Sequence, residues 1–189
     1  IQAIRVTRAQ ILGIPAPTPP RTTPQILRTD VGRTEAVAEL RGLNHAFAEH
    51  IALNRALGIA FVELVDSEAV MQLPWDERFI GDPSTGALHG GVITVLMDST
   101  CGAAAFMGLE RPDAIATLDL RIDYMKPSSR GLPVICRARC YKRTRSVAFV
   151  RAFAFQDDES DPIAAATGTF MIGTHIPPNT PSMASGMKP

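Results

Sequence analysis

The residue types that can do chemistry concentrate in one short stretch, where a single carboxylate lies in a strongly apolar segment. Asp98 is flanked by Val, Leu, Met and Ala residues, and neither Lys nor Arg occurs between His89 and Glu110. Burying an ionised carboxylate is costly unless it is paired or hydrogen-bonded. Asp98 therefore either marks a helix break or a thin polar stripe, or it is a general base or nucleophile whose pKa its surroundings tune.

The residues His89, Gly90 and Gly91 open the same stretch and offer backbone donors. Gly90 and Gly91 lack a β-carbon, so another molecule can approach their amides closely. At the start of a helix these amides have no partner within the helix, and its positive end reinforces them. Such donors can stabilise a developing oxyanion. A purely structural glycine-rich helix start is the alternative, and the phosphate-loop pattern GxxxxGK[ST] is absent from the sequence.

The spacing of Gly90 and Asp98 limits how the two groups can act together. Asp98 lies eight positions beyond Gly90, which is roughly 12 Å along a helix axis. Because an oxyanion donor and a base must both lie about 3 Å from the reacting group, one chain cannot easily supply both. Two antiparallel copies of the helix in a two-fold dimer would set Gly90 of one chain against Asp98 of the other. We expect the small residues 102–105 to permit this close approach.

The pattern around this stretch predicts an α+β fold. The segment His89–Leu109 is apolar on nearly every side of a helix, which indicates a buried helix. Short connections between β-prone runs favour a mostly antiparallel sheet wrapped around that helix. The predicted strands are Ile59–Val65, Glu68–Leu73, Thr117–Met125, Val134–Tyr141, Val147–Phe155 and Ile163–Ile172.

Other segments complete the predicted architecture. Thr34–Leu57 has apolar residues at helical spacing, and Gly58 is the predicted helix stop. Asp66 and Ser67 form a plausible turn, and Trp75–Leu88, rich in Gly, Pro, Asp and Ser, is a predicted loop. In the strand from Thr117, alternation predicts that this threonine lies on the face opposite to the apolar residues Leu118, Leu120, Ile122 and Tyr124.

Composition divides the chain of 189 residues into three parts. Residues 1–30 are proline-rich and have no acid before Asp30, which predicts an extended arm, with a trimmed targeting peptide as the alternative. Residues 31–175 form the predicted domain, including the N-terminal helix. Residues 176–189 again carry several prolines and are predicted to be a flexible tail.

Composition also narrows the classes of function. Nineteen Lys and Arg balance nineteen Asp and Glu, which argues against general attraction to nucleic acid or an anionic membrane. No apolar run is long enough to predict a spanning helix, and no secretory signal is visible. Cys136 and Cys140 lie too far apart in one predicted strand for a disulfide, and the cysteine spacing fits no zinc pattern. We expect a cytoplasmic protein with free thiols and no metal.

A stretch without acids runs from Tyr124 to Gln156 and holds eight basic residues. Their positive charge suits the phosphate groups of a ligand, which Arg binds in a bidentate manner. The alternative is that these side chains lie on solvated strand faces and pair with acids elsewhere. Nucleic acid is disfavoured as a partner because no exposed aromatic series accompanies the charges.

Several segments together resemble a known family. The run LHGGVITVLMDSTCGAAA, the strand ATLDLRIDYMKPSSRG, the hairpin segment YKRTRSVAFVRAFAFQDD and the final strand ending GTFMI are similar to the hotdog-fold acyl-CoA thioesterases of the phenylacetate-pathway (PaaI-like) type. The likeness covers about residues 58 to 173. It implies a long helix wrapped by an antiparallel sheet, a homodimer or dimer of dimers, and hydrolysis of an acyl-CoA thioester. Coenzyme A then enters as part of the substrate, and no separate cofactor is implied.

The resemblance also implies roles for individual residues. Asp98 falls on the family's acidic nucleophile or general base, and the sequence leaves these two mechanisms open. Gly90, with Gly91, falls on the backbone donor that polarises the thioester carbonyl. His89 falls on a motif histidine whose role is more structural than acid–base. Thr117 falls on a hydroxyl that helps to position water. The positions near segments that contact the coenzyme A phosphates are Lys126, Arg143, Arg145 and Ser146.

The sequence departs from the family pattern just before the motif histidine. Many relatives carry an Asn six or seven residues earlier, in contact with the thioester, where this chain has Pro83 and Asp82. Asp82 is the candidate substrate contact, but a carboxylate offers no amide donor. A hotdog protein that binds acyl-CoA without hydrolysing it is therefore the first alternative. The second alternative is a hydratase or dehydratase on a related fold, which would need a His and an Asp closer together than His89 and Asp98 are in one chain. The last alternative is a non-catalytic assembly module.

Overall fold

A computed structural model gives the fold of this chain and describes residues 51–65, 68–109 and 113–173, together with residues 42 and 48. The predicted arm 1–30, the tail 176–189, the turn 66–67 and most of the helix predicted over 34–57 lie outside the described residues. The first described element is helix α1, Ala52–Leu57, which ends at Gly58 in the left-handed region with φ +69. Glycine adopts this conformation at little cost, and the predicted helix stop is confirmed.

One long helix and eight strands follow in the described part of the chain. The strands are β1 Ala60–Val65, β2 Glu68–Leu73, β3 Ile80–Asp82, β4 Ala87–Leu88, β5 Ile115–Tyr124, β6 Val134–Arg143, β7 Val147–Phe155 and β8 Ala164–Ile172. Helix α2, Gly90–Met107, lies between β4 and β5, and a short 3₁₀ helix, Glu77–Phe79, precedes β3. Six strands form an antiparallel sheet in the order β1-β2-β6-β7-β8-β5, and β3 pairs with β4 separately.

This arrangement confirms the predicted α+β hotdog fold. Helix α2 packs across the sheet, mainly against β2, β6 and β7. It is the one described helix that is long and apolar enough to cross a bilayer, and its place against three strands is that of a core helix. The prediction of a loop over Trp75–Leu88 is wrong in part, because the segment contains the 3₁₀ helix and the hairpin of β3 and β4. Strands of two and three residues are too short to show a periodicity.

The small residues 102–105 of α2 are buried within their own chain. Ala103, Ala104 and Ala105 are fully buried within the single chain. A Cβ added to the buried Gly102 would lie 3.7 Å from the side chains of Ile115 and Phe170. The expectation that residues 102–105 let a second copy of the helix approach is therefore wrong. Their small size instead lets α2 lie close to the strands that surround it.

A β-bulge decides which face of β5 carries which side chain. The register with β8 shifts between Thr117 and Asp119, so Leu118 is the additional residue. Thr117 pairs with the buried Phe170, and Tyr124 pairs with the buried Ala164, so both side chains point toward α2. The prediction that Thr117 lies on the opposite face from Tyr124 is wrong, because the bulge reverses the alternation. Leu118 is left 51% exposed at the edge of the sheet.

The side chain of Asn54 connects α1 to α2 by a hydrogen bond, and its replacement tests the packing of the two helices. Its side chain is fully buried, and its Oδ1 accepts a hydrogen bond of 2.8 Å from the Ser99 hydroxyl. We expect Asn54→Ala to lower the free energy of unfolding by about 1–3 kcal/mol, since a buried partner is lost. Urea denaturation measures the change. Leu53→Ala, on the exposed side of the same helix, is the control, and an equal loss in both variants would contradict the anchoring role.

Candidate active site

The candidate site begins at the junction between the β3–β4 hairpin and the start of α2. His89 is the N-cap residue, and its Nδ1 accepts a hydrogen bond from the Gly91 amide at 3.0 Å. Its own amide donates to the Phe79 carbonyl at 2.8 Å. Gly81 permits this approach, because a Cβ there would lie 2.7 Å from the His89 Cα. Because this Nδ1 accepts a hydrogen bond, it carries no proton, and His89 caps the helix. This contact agrees with the structural role that the resemblance implied for the histidine.

The two glycine amides of the helix start are not equivalent. The Gly91 amide is committed to His89, so the structure does not leave it as a free second donor. The Gly90 amide forms no hydrogen bond with another described residue. The Gly90 carbonyl, by contrast, accepts from the Tyr124 hydroxyl at 2.6 Å and from the Thr94 hydroxyl at 3.1 Å. One open donor therefore remains at the positive end of α2.

Asp98 lies about two turns further along α2, on the side of the helix that faces β5. Its Oδ1 accepts a hydrogen bond of 3.0 Å from the Thr117 hydroxyl. No Lys, Arg or His side chain among the described residues forms an ion pair with it. In the single chain the residue is half-buried, and α2 is not broken at this position, so the alternative of a helix break is wrong. A carboxylate with one hydroxyl partner and an open second oxygen is free to take up a proton or attack a carbon.

The open amide and the carboxylate stay apart within one chain. Helix α2 is continuous from Gly90 to Met107, so Gly90 and Asp98 are separated by roughly 12 Å along the axis. The structure thus brings Asp98 together with Thr117, and Gly90 together with His89, but it does not join the two pairs in one protomer.

The basic residues predicted near the phosphates fall at two ends of the sheet. Lys126 follows the end of β5 that contacts Gly90, and it forms an ion pair with Asp161. Arg143 lies at the opposite end, where its Nη1 donates to the Gly108 carbonyl at 2.6 Å at the close of α2. Arg145 and Ser146 lie exposed in the turn between β6 and β7. One chain therefore does not gather these four residues around a single ligand.

Some basic side chains of the acid-free stretch 124–156 pair with acids from other segments, which was the alternative interpretation of that stretch. Arg137 lies within 3.3 Å of carboxylate oxygens of Glu63, Glu68 and Glu159. Together with the ion pair of Lys126, this shows that acids from other segments neutralise some of the predicted positive charge.

Asp82 is occupied in the turn of its own hairpin. Its carboxylate accepts from the Ser84 hydroxyl at 2.7 Å, the Ser84 amide at 2.9 Å and the Thr85 hydroxyl at 2.9 Å. The hydrogen bonds from the side chains of Ser84 and Thr85, in that order, hold the pKa of Asp82 below its ordinary value. The structure therefore shows Asp82 shaping the turn that leads to His89, and its contact with a substrate stays a prediction.

Two polar residues that contact α2 were not singled out from the sequence. Asn54 is buried and bonds Ser99, and Tyr124 reaches the helix start. Neither residue type is distinctive in its segment, and only the packing of distant elements reveals them. The cysteines are free, and burial raises the pKa of Cys136 to about 12, which makes it a poor nucleophile. No cluster of three His, Cys, Asp or Glu side chains suited to a metal occurs among the described residues.

Comparisons with known proteins bear on the family and on the fold. Residues 85–163 match the family model described as the thioesterase superfamily. A crystal structure of a Pseudomonas aeruginosa protein is 39% identical, covers 70% of this chain and 98% of its own, and superposes with a TM-score of 0.64. A medium/long-chain acyl-CoA thioesterase of Salmonella typhimurium is 26% identical over 71% of this chain and 94% of its own length. Human acyl-coenzyme A thioesterase 13 is 26% identical over 61% of this chain and 81% of its own.

A long helix wrapped by an antiparallel sheet defines a hotdog fold, and in this chain that helix has a capped His-Gly-Gly start and an acid two turns later. The chain belongs to the thioesterase superfamily, as the resemblance implied. The phenylacetate-pathway type within that superfamily stays a prediction.

The lowered pKa of Asp82 allows its structural role in the turn to be tested. A carboxyl whose pKa is lowered on folding contributes stability above its unfolded pKa, and this contribution is lost as the pH falls through the folded value. We therefore expect Asp82→Ala to lower the melting temperature at neutral pH, and the difference from the wild type to shrink at pH values below the ordinary value of 3.8. Asp157→Ala, at an exposed position in the loop between β7 and β8, is the control. A difference that persists unchanged in acid would show that the Asp82 hydrogen bonds are not the cause.

Proposed function

We propose that this protein hydrolyses acyl-CoA thioesters at a site shared between two chains, with Asp98 as the base or nucleophile and the Gly90 amide as the oxyanion donor. The observation that carries the proposal is that one helix presents an open N-terminal amide and a carboxylate held only by the Thr117 hydroxyl among the described residues. The acyl-CoA substrate class rests on the curated relatives, which are acyl-CoA thioesterases by name.

The chemistry follows from these two groups. Asp98 takes a proton from a water molecule whose oxygen attacks the thioester carbon, and the carbonyl oxygen becomes an oxyanion that the Gly90 amide stabilises. Collapse of this intermediate breaks the carbon–sulfur bond, and the departing CoA thiolate takes up the proton. In the second mechanism Asp98 attacks the carbon itself, expels the thiolate and forms an anhydride that water then hydrolyses. In both, the bond from Thr117 fixes the carboxylate in one orientation.

A second chain is needed to bring the two groups within reach of one carbonyl. Strand β5 pairs with β8 on one side, while its other edge has no partner strand among the described residues. Such an edge is a ready site for pairing with another strand. Antiparallel pairing of β5 with its own copy would place the two α2 helices antiparallel, and each Asp98 would face the start of the other helix. It would also cover Leu118 and the open side of Asp98.

The same dimer suggests where the CoA phosphates would bind. The turn that carries Arg145 and Ser146 adjoins the N-terminal end of β5, since the Ile172 amide donates to the Ser146 carbonyl and Ile172 pairs with Ile115. In an antiparallel pair this turn lies at the same end as Gly90 and Lys126 of the other chain. We propose Arg145 as the principal phosphate contact, because Lys126 is neutralised by Asp161 and Arg143 caps α2.

Binding without hydrolysis is the second candidate function. Asp82 supports it, because this chain has a carboxylate turned into its own hairpin at a position where many relatives are expected to have an amide donor. A panel of aromatic, short-chain and long-chain acyl-CoAs separates the candidates when thiol release and binding are measured together. Binding with no thiol release from any substrate would favour the second candidate. Further assembly into a dimer of dimers and a cytoplasmic location stay predictions.

Replacing Asp98 tests the acid. We expect Asp98→Asn to lower kcat at least about a hundredfold with little change in substrate affinity, which is a typical loss for a positioned base. Steady-state kinetics and CoA binding by calorimetry measure the two effects. Asp119→Asn, an exposed carboxylate on the same strand as Thr117, is the control. Near-normal turnover of Asp98→Asn would remove this residue from the mechanism.

Replacing Gly90 tests the amide and the sharing of the site. Proline is favoured at the first position of a helix, and His89 already has the extended backbone, φ −63 and ψ 132, that a residue before proline needs. Gly90→Pro therefore removes the one open amide, and we expect it to abolish most turnover. Gly90→Ala keeps the amide, and its Cβ would lie at an ordinary 3.5 Å from the Tyr124 ring, so it is the matched control.

Mixing the two inactive variants distinguishes a shared site from a site within one chain. A heterodimer of Asp98→Asn and Gly90→Pro chains contains one intact shared site, so an equal mixture should recover about a quarter of the wild-type activity. If each chain holds a complete site of its own, the mixture stays inactive, and the shared site is contradicted.

A further inference from the structure

The peptide group between Gly90 and Gly91 is held on both of its sides. Its carbonyl accepts from the Tyr124 hydroxyl at 2.6 Å and from the Thr94 hydroxyl at 3.1 Å, and these two hydroxyls lie 2.9 Å apart. Its amide donates to His89 Nδ1 at 3.0 Å. Three side chains from the cap, the helix and the edge strand therefore converge on one peptide plane at the start of α2.

The bond from Tyr124 exceeds what the helix needs. In an α-helix the carbonyl of the first residue accepts from the amide four residues later, and Thr94 adds its hydroxyl to the same oxygen. Tyr124 is 48% exposed, so water is available to satisfy its hydroxyl without this contact. A partly exposed hydroxyl that bonds an already partnered carbonyl at 2.6 Å indicates a directional role.

Gly90 is the residue that most needs such support. Glycine has the widest backbone freedom of any residue, and the first turn of a helix has the fewest internal bonds. The peptide that carries the Gly90 amide is held through the His89 carbonyl, which accepts from the Val92 amide at 3.0 Å. Fixing the next peptide plane through its carbonyl restricts rotation about Gly90 from the other side. The direction of the open amide then depends on both anchors.

We propose that Tyr124 is a positioning residue that aims the Gly90 amide at the substrate carbonyl, an inference that rests on the proposed function. The hydroxyl acts through the Gly90–Gly91 peptide and takes no part in proton transfer. Preorganised donors stabilise an oxyanion more than donors that must reorient during the reaction. Tyr124 thereby affects the transition state more than the ground state.

The position of Tyr124 on β5 connects the two halves of the chemistry. Thr117, which holds Asp98, lies on the same face of the same strand beyond the bulge. One edge strand thus supports the acid and the amide donor of a single helix. In the proposed dimer these two groups belong to different reaction centres, so each β5 strand contributes to both.

Tyr124→Phe tests the inference, because it removes the hydroxyl and keeps the ring. We expect kcat to fall roughly five- to tenfold, the change that the loss of one neutral hydrogen bond produces, with KM within about twofold. Tyr141→Phe is the matched control, since Tyr141 is the other tyrosine of the chain and lies exposed on the sheet. It should retain its kcat. An unchanged kcat in Tyr124→Phe would overturn the proposal.

Two inert analogues separate positioning from simple support of the fold. One is an acyl-CoA fluoroketone, a ketone whose hydrated, tetrahedral form mimics the oxyanion intermediate, and the other is an S-alkyl-CoA thioether that has no carbonyl. We expect Tyr124→Phe to weaken binding of the ketone several-fold and to leave binding of the thioether unchanged. Equal weakening of both would show that Tyr124 supports the pocket in general, and it would overturn the positioning role.

The Gly90 variants distinguish failure of this inference from failure of the proposed function. If Gly90→Pro retains full turnover, the amide is not the oxyanion donor, and both the proposed function and the inference fail. If Gly90→Pro is impaired while Tyr124→Phe is normal, the inference alone fails.

Discussion

A continuous helix carries both chemical groups of the proposed site, and its fixed rise sets the distance between them. Gly90 and Asp98 remain roughly 12 Å apart along α2 whatever the surrounding loops do. A single chain that keeps this helix straight cannot present both groups to one carbonyl. The half-buried state of Asp98, the open edge of β5 and the exposed Leu118 are the features to be expected of a protomer whose reaction centre is completed by a second copy.

Much of this framework could be predicted from the sequence because it depends on local periodicity. The helix predicted over His89–Leu109 is observed over Gly90–Met107, since its apolar residues reach nearly every side. The strand predicted over Val147–Phe155 has the same bounds in the structure. Asp98 could be singled out because a lone charge in an apolar run is costly, and the role proposed for it is the one that the resemblance implies. These predictions needed no knowledge of which elements meet.

The remaining features depend on contacts between distant elements. The bulge at Leu118 cannot be read from alternation, and it alone turns Thr117 toward Asp98. The residues 102–105 look suited to a helix–helix contact, yet the sheet of the same chain covers them. The capping bond that commits the Gly91 amide depends on the side-chain conformation of His89. Sequence spacing gives the order of residues along the chain, whereas each of these outcomes is decided by the partner across the fold.

The two halves of the proposed site are supported by different parts of the chain. The amide side depends on the segment before α2, where Asp82 shapes the hairpin and the Phe79 carbonyl anchors His89. The acid side depends on Thr117 and on the bulge of β5. Changes in the hairpin should therefore alter oxyanion stabilisation, and changes in the bulge should alter the carboxylate. Tyr124 is the exception, because it extends from the strand of the acid to the peptide of the donor. Strand β5 is thus the element through which the geometry of both groups is set together.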